Sequence, residues 1–315
     1  MKKILIIKHG ALGDVILSMH SIFAIWKHFK GYEISVLTES KYQELFQCLP
    51  FIENIKIDNR VRFYYFLKHI KIFKWFYKSD FEWIFDLQTS KRTNLYFSIL
   101  SLFKDFNWNG IAKNCSHPHL SLNRKKLHTI KRQKEQLRAA GISKTFKPDW
   151  KYFKSRISKF AIEQPYAIIV PGGSRHRKNK RWDFKNFLEI IKFLEKKNII
   201  SVLVGGPDEK DIFQNKQKYH SVVNLIGKTN YSDLAYLSSR AKFILGNDTG
   251  PMHLLIACSN DTITKVVLFG GASDPTLCAP IGKNVIIVKE NDIEDIMTEN
   301  IKNLINKKKI IVNFK

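Results

Sequence analysis

Short apolar runs alternate with longer segments of helical period along the whole chain. The runs KILIIK (3–8), EISVLT (33–38), WIFDL (83–87), YAIIV (166–170), ISVLVG (200–205), KFILG (242–246), TKVVLF (264–269) and NVIIV (284–288) have strand length. Several are continuously apolar rather than alternating, as parallel strands covered on both faces require. Between them, segments 14–29, 126–140, 183–197, 231–240 and 292–307 carry apolar positions at helical spacing. Regular alternation of the two patterns predicts an α/β protein with parallel sheets.

The rhythm lapses once. Over TFKPDWKYFKSRISKFAIEQ (145–164) strand signals disappear and charge accumulates, after which YAIIVPGGS restarts a strand and a glycine turn, as KILIIKHGALGD does at the start. The pattern predicts two Rossmann-like domains, residues 1–158 and 159–315, on either side of a central cleft. A chain of 315 residues is long enough for each to bury its own core.

Composition narrows the class. The hydrophobic fraction of 44% fits a folded globular protein, and no apolar run reaches the roughly 18–20 residues of a membrane span. The apolar part of the opening segment is too short for a secretory signal and reads as a first strand. Cys48, Cys115, Cys258 and Cys278 are scattered without metal-ligand or disulfide spacing, so a reduced, cytoplasmic protein without structural zinc is expected. The net charge of +25 points to an anionic partner. Nucleic acid, a membrane surface, a nucleotide or an acidic glycolipid would each satisfy it, and a lysine-rich composition alone selects none.

Four strand-end loops carry candidate chemistry. In GNDTGPMH (246–253), Asp248 or Thr249 can cap a helix that begins near Gly250 or Pro251. Proline is tolerated there because first-turn amides lack intrahelical acceptors. Those amides and the helix dipole form an anion site that Gly250 lets a phosphate approach, with His253 one turn on along the same face. A plain capped turn with a satisfied histidine reads equally well. In KHGALGDVILS (8–18), Asp14 is either the cap of an apolar helix or a base at a sheet's ligand crevice. In VPGGSRHRKNKRWDF (170–184), Gly172, Gly173 and Ser174 offer amides to phosphate, and Lys180 and its neighbours offer cations. In VGGPDEKDI (204–212), Asp208 and Glu209 can accept bonds from ribose hydroxyls or cap the next helix.

Taken in this order, the loops resemble glycosyltransferase family 9, the ADP-heptose:lipopolysaccharide heptosyltransferases. The matching pieces are ILIIKHGALGDVILS, LHTIKRQKEQLRAAGI, PGGSRHRKNKRW, LVGGPDE and GNDTGPMHLLIA. The resemblance implies a GT-B fold whose first domain binds mainly acceptor and whose second binds nucleotide sugar. It implies inverting transfer of heptose from ADP-L-glycero-β-D-manno-heptose to the lipopolysaccharide inner core. Carried over by position, it makes Asp14 the general base and Lys180 a donor-phosphate contact. It also makes Asp248, Thr249, Gly250 and His253 the donor-site motif and Glu209 a donor-contacting acid. His20 departs from the family pattern, which commonly has proline there.

No D-x-D occurs in the sequence, so no metal-clamped diphosphate and no resident cofactor are expected. Helix dipole and cations would hold the departing diphosphate instead. The segment RVRFYYFLKHIKIFKWFYK (60–78) contains no acid. As a helix it would align Lys68, Lys71, Lys74 and Lys78, with Phe66, Ile70, Phe73 and Tyr77 opposite and Trp75 beside the lysines. The lysine stripe predicts contact with anionic lipid on the cytoplasmic face of the inner membrane, while the aromatics pack inward. Rival readings are transfer of a different sugar, a catalytically silent nucleotide-sugar binder, and a nucleic-acid-binding protein. The last would leave the glycine loops unexplained and lacks any recognition-helix, RNP or zinc-finger motif.

Overall fold

In the computed structural model of the protein, the described residues are 1–62, 66–153, 159–160, 162–173, 178–213 and 221–307. The chain forms two compact units, Met1–Tyr152 and Phe153–Lys315. It passes from one to the other slightly before the 158/159 boundary expected from the sequence.

The first unit contains strands β1 (Lys3–Ile7), β2 (Glu33–Thr38), β3 (Asn54–Ile57), β4 (Trp83–Asp86), β5 (Asn107–Gly110) and β6 (His117–Pro118). Its helices are α1 (Leu12–His28), α2 (Gln43–Gln47), α3 (Phe66–Ser79), α4 (Lys91–Leu100) and α5 (Thr129–Arg138). The sheet order is β3-β2-β1-β4-β5-β6, with every pairing parallel. The second unit contains β7 (Tyr166–Val170), β8 (Ile200–Leu203), β9 (Val222–Asn224), β10 (Phe243–Asn247), β11 (Thr264–Phe269) and β12 (Val285–Lys289). Its helices are α6 (Phe184–Glu195), α7 (Tyr231–Arg240), α8 (Gly250–Cys258), α9 (Pro275–Cys278) and α10 (Thr298–Lys307). Its sheet order is β12-β11-β10-β7-β8-β9, again parallel throughout.

The two sheets therefore share one plan. The chain starts at a central strand, builds outward on one side, and returns to build the other half. The reversal leaves a switch point between β1 and β4 in one unit and between β7 and β10 in the other. There the loops leaving adjacent strands part in opposite directions and open a crevice.

Apolar side chains on both faces hold each sheet. Leu5, Ile7, Phe76, Tyr96 and Trp108 lie in one core, and Ile169, Trp182, Phe187, Leu245 and Leu268 in the other. The Trp182 indole N–H donates to Ile296 O at 3.0 Å, so this side chain is buried with its polar atom satisfied, whereas the buried Trp108 Nε1 has no hydrogen-bond partner. Strands without a clear sequence signal are three of the four edge strands, β3, β6 and β9, and the polar β5 (NWNG). Asn109 in β5 is buried because its Nδ2 donates to His117 O and Gln136 O at 3.0 and 2.8 Å.

Helix α3 forms, but its inward face differs from the sequence expectation. The buried side chains are His69, Ile72 and Phe76, spaced three and four apart as one helical stripe. Of the expected inward residues, Phe73 packs edge-on against Tyr96, Ile70 is only half-buried and Tyr77 is exposed, and the side chain of Phe66 lies outside the described residues. Trp75 is half-buried edge-on against Phe76 and Phe81, with Lys56 Nζ 5.6 Å from its ring. The aromatic-rich composition allowed two phases of the same helix, and packing on Phe81 and Tyr96 selects the one that buries Phe76. Accordingly, Phe76→Ala should cost about 3–5 kcal/mol, whereas Tyr77→Ala should cost less than about 1 kcal/mol. Urea unfolding of the two variants measures both.

Candidate functional site

The second unit's crevice is built from three strand ends. After Val170 the chain turns through Pro171, Gly172 and Gly173. Asn247, the last residue of β10, is fully buried. Its Nδ2 donates to Pro171 O and Gly172 O at 2.8 and 3.1 Å, and its Oδ1 accepts from Trp182 N at 3.2 Å. One carboxamide thus pins the glycine turn, the end of β10 and the approach to α6. The brace takes the carbonyl oxygens of Pro171 and Gly172, while Pro171 has no N–H and the Gly173 amide meets Glu209.

Asp248 follows. Its Oδ2 accepts from Lys180 Nζ and from Ser273 Oγ, both at 2.7 Å, and His253 Nε2 lies 4.0 Å from its Oδ1. Asp248 therefore orients a cation rather than facing a ligand as a bare carboxylate. Thr249 takes the N-cap position in extended conformation, with Gly250 and Pro251 opening α8. Its hydroxyl does not cap the helix, and Oγ1 is buried without a hydrogen-bond partner. The helix start thus combines free first-turn amides, the positive end of the dipole and an unused hydroxyl, with a pinned lysine beside them.

Glu209 reaches the same turn. Its Oε2 accepts from Gly206 N at 2.9 Å. A Cβ on Gly172 would lie 2.0 Å from the Glu209 carboxyl carbon, so the absent side chain is the space the carboxylate occupies. Burial pushes the Glu209 pKa up, against the amides of Gly206 and Gly173 and the charge of Arg181. Arg181 in turn donates to Gly173 O.

The first unit has a crevice of opposite polarity at β1 and β4. Gln88, just past β4, accepts from His9 N and Gly10 N at 3.1 and 3.4 Å through Oε1. Here the brace takes the turn's amides. A Cβ on Gly10 would come within 2.4 Å of the Tyr42 ring, so only glycine fits. Ala11 is the N-cap of α1 and makes no side-chain cap. Asp14 is therefore not the cap considered from sequence. It stands in the first helical turn, half-buried, with no described hydrogen bond on its carboxylate.

Lys8 is buried beside it. Burial pushes its amine pKa down, Asp14 and Asp86 pull it up, and Arg132 pushes it down further. Asp86, fully buried at the end of β4, is pushed up to about 6 by burial, although Gln88 N and Thr89 N donate to Oδ1 at 3.0 and 2.8 Å. Arg124 adds a second cation at this edge, donating to Thr89 Oγ1 at 3.1 Å. Beneath the turn, Asp58 Oδ2 meets His9 Nε2 at 2.9 Å and accepts from Tyr96 Oη at 2.6 Å. Arg60 N donates to its Oδ1 at 2.9 Å. Burial alone would raise Asp58, but these bonds outweigh it and hold the carboxyl at about 2.

Lys180, Glu209, Asp248, Thr249, Gly250 and His253 thus come together at one switch point, and Asp14 stands at the other. Ser174 lies outside the described residues, as does the side chain of Lys68. Lys71, Lys74 and Lys78 are exposed on α3, which runs from the carboxyl edge of the first sheet back to its amino edge, so the stripe leads away from Asp14. His20 sits within α1, its imidazole pKa lowered by burial. Sequence reasoning missed Asn247, Ser273, Lys8, Gln88 and the His9–Asp58 pair. Only Asp86 gave a usable sign, a carboxylate closing an apolar strand run.

The model of glycosyltransferase family 9 (heptosyltransferase) matches residues 99–308. Lipopolysaccharide heptosyltransferase 1 of Salmonella typhimurium is 27% identical over 125 residues, which span 39% of this chain and 38% of that protein. The chain thus matches well under half the length of that relative. The lipopolysaccharide core heptosyltransferase OpsX of Haemophilus influenzae is 22% identical over 314 residues, 93% of this chain and 86% of that one. Among solved structures, E. coli heptosyltransferase WaaC with ADP superposes with a TM-score of 0.79 at 19% identity, covering 97% of this chain and 99% of that chain. The two six-stranded parallel sheets are the GT-B fold of such enzymes.

Two outcomes follow from the braces. Gly172→Ala should displace the flexible end of Glu209 rather than unfold the unit, so its nucleotide affinity should match that of Glu209→Ala with little change in melting temperature. Calorimetric titration with ADP compares them. Asp58 has a folded pKa of about 2, below its unfolded value near 3.9. Its contribution, on the order of 2 kcal/mol, is full above the unfolded pKa and is lost as pH falls through the folded one. The stability gap between wild type and Asp58→Asn in urea should be widest above about pH 4 and narrow toward pH 2.

Proposed function

The chain belongs to glycosyltransferase family 9, and on that premise we propose that it is an inverting heptosyltransferase. The donor is ADP-L-glycero-β-D-manno-heptose and the acceptor is the inner core of lipopolysaccharide. The observation that carries this reading is the start of α8, where the unpartnered Thr249 hydroxyl and first-turn amides adjoin a lysine fixed by Asp248. That arrangement suits a diphosphate. The naming of the relatives as heptosyltransferases supports heptose as the sugar.

In the reaction, the acceptor hydroxyl oxygen bonds to the anomeric carbon as that carbon's bond to the diphosphate oxygen breaks. The acceptor proton passes to the Asp14 carboxylate, which no described hydrogen bond occupies. The electron pair leaves with ADP, whose added charge falls on the α8 amides, Thr249 and Lys180. Glu209 accepts hydroxyl hydrogen bonds from the donor. The nucleotide sugar is a substrate, and the reading includes no resident cofactor. Lys8, Arg124 and Arg132 bring positive charge to the edge bearing Asp14, which favours an anionic glycolipid acceptor. The overall charge of +25 is then assigned to acceptor and lipid rather than to nucleic acid.

Among the described residues no helix is long and apolar enough to cross a membrane. The proposed location is cytoplasmic, at the inner face of the membrane that carries the acceptor. Asp14→Ala should lower kcat by roughly 10²–10⁴-fold while leaving ADP affinity unchanged. Near-normal turnover would remove Asp14 from the role of base. A thermal-shift panel of ADP-, GDP-, UDP- and dTDP-linked ligands should favour the ADP compounds. Preference for another nucleotide would select the reading in which a different sugar is transferred.

A further inference from the structure

The loop that leaves β6 combines features that a water-facing loop does not need. Leu120 is 79% exposed and Leu122 100% exposed. Next to them, Arg124–Lys126 form a short 3-10 turn with Lys125 and Lys126 exposed. No Asp or Glu occurs from Phe106 to Lys134, a stretch with seven Lys and Arg residues.

Position gives this loop its meaning. It leaves the carboxyl end of β6 and is tied back by Arg124 to Thr89, just beyond β4. It therefore lies on the same edge of the first sheet as Asp14. Another exposed apolar group of this unit, Tyr77, Leu102 and Phe103, lies where α3 and α4 run toward the starts of β4 and β5, at the opposite edge. Tyr77 there is already covered by Lys104 at 5.1 Å, and Lys104 is paired with Asp80 at 2.9 Å.

Fully exposed leucines gain nothing from a nucleic acid backbone, and an acid-free run of cations would favour only an acidic protein surface. Both parts of the loop are satisfied together by an anionic lipid bilayer. Apolar tips enter the boundary between headgroups and acyl chains, while lysines meet phosphates. We propose that residues 119–126 dock the protein on the surface of an anionic bilayer through Leu120, Leu122, Lys125 and Lys126. Docking there sets the bilayer beside the edge that carries Asp14, so a lipid-anchored acceptor arrives at the base. This consequence, unlike the docking itself, rests on the heptosyltransferase reading.

The full chain is sedimented with phosphatidylcholine vesicles that contain or lack phosphatidylglycerol, at low salt. Binding is expected only with phosphatidylglycerol. It should weaken at least about tenfold in the pair Leu120→Ser/Leu122→Ser and in the pair Lys125→Glu/Lys126→Glu. Leu102→Ser/Phe103→Ser should bind as wild type. All these side chains are exposed, and unchanged melting temperatures confirm folding. No binding of wild type to anionic vesicles would overturn the proposal. So would loss confined to Leu102→Ser/Phe103→Ser or to Lys71→Glu/Lys74→Glu, or leucine-dependent self-association without vesicle binding. Turnover separates the two readings. The Leu120/Leu122 pair should keep wild-type rate on a deacylated, water-soluble acceptor and lose it on acceptor embedded in vesicles. Absence of transfer in every assay would refute the enzymatic reading while sedimentation still decides the docking.

Discussion

A parallel sheet whose strand order reverses at its centre leaves two neighbouring strand ends with no loop crossing between them, and this protein has built both of its sheets around that constraint. Lys180, Glu209, Asp248, Thr249, Gly250 and His253 stand at one reversal and Asp14 at the other. The central strands β1, β2, β7, β10 and β11 are buried along nearly their whole length. Polar groups that must face a ligand are therefore confined to strand ends, where the chain turns and helices begin.

Each reversal is held by a side-chain amide from its second strand, and the two amides work with opposite polarity. Gln88 presents an oxygen and takes up the N–H groups of His9 and Gly10. Asn247 presents nitrogen to the carbonyls of Pro171 and Gly172, an orientation fixed by the Trp182 amide on its oxygen. The first arrangement withdraws amide donors from the crevice and leaves Asp14, Lys8 and the arginines to set its chemistry. The second takes up the carbonyls of Pro171 and Gly172, Glu209 takes up the Gly173 amide, and the donors left at this crevice are the first-turn amides of α8. A proton acceptor with cations suits an anionic alcohol, and a crevice of donors suits a diphosphate.

Much of this was legible in the sequence where local chemistry decided the outcome. Continuous apolar runs located β2, β7 and β11 to the residue, and Asp-Thr-Gly-Pro marked the start of α8, because helix initiation and strand burial are local requirements. Edge strands such as β3 and β9 bury too little to need apolar sequence, so they left no trace. The braces were illegible for another reason. Gln88 acts on residues 9–10 and Asn247 on 171–172, and nothing local distinguishes such amides from surface ones. Helix α3 misled because Phe, Tyr and Trp occupy more than one of its faces, and only contact with Phe81 and Tyr96 fixes its phase. Asp14 was placed at the right helix start, and of its two readings, cap or base, the structure removes the cap, because Ala11 holds that position.

The central claim is that the start of α8, with Lys180 held by Asp248, binds the diphosphate of the donor. Its most direct measurement is calorimetric titration of ADP, AMP and adenosine into wild type and Lys180→Ala. The account predicts that wild type prefers ADP over adenosine by at least about tenfold, and that Lys180→Ala loses most of that preference while binding adenosine as before. Equal affinity of wild type for ADP and adenosine, or a preference for ADP that survives in Lys180→Ala, would contradict it.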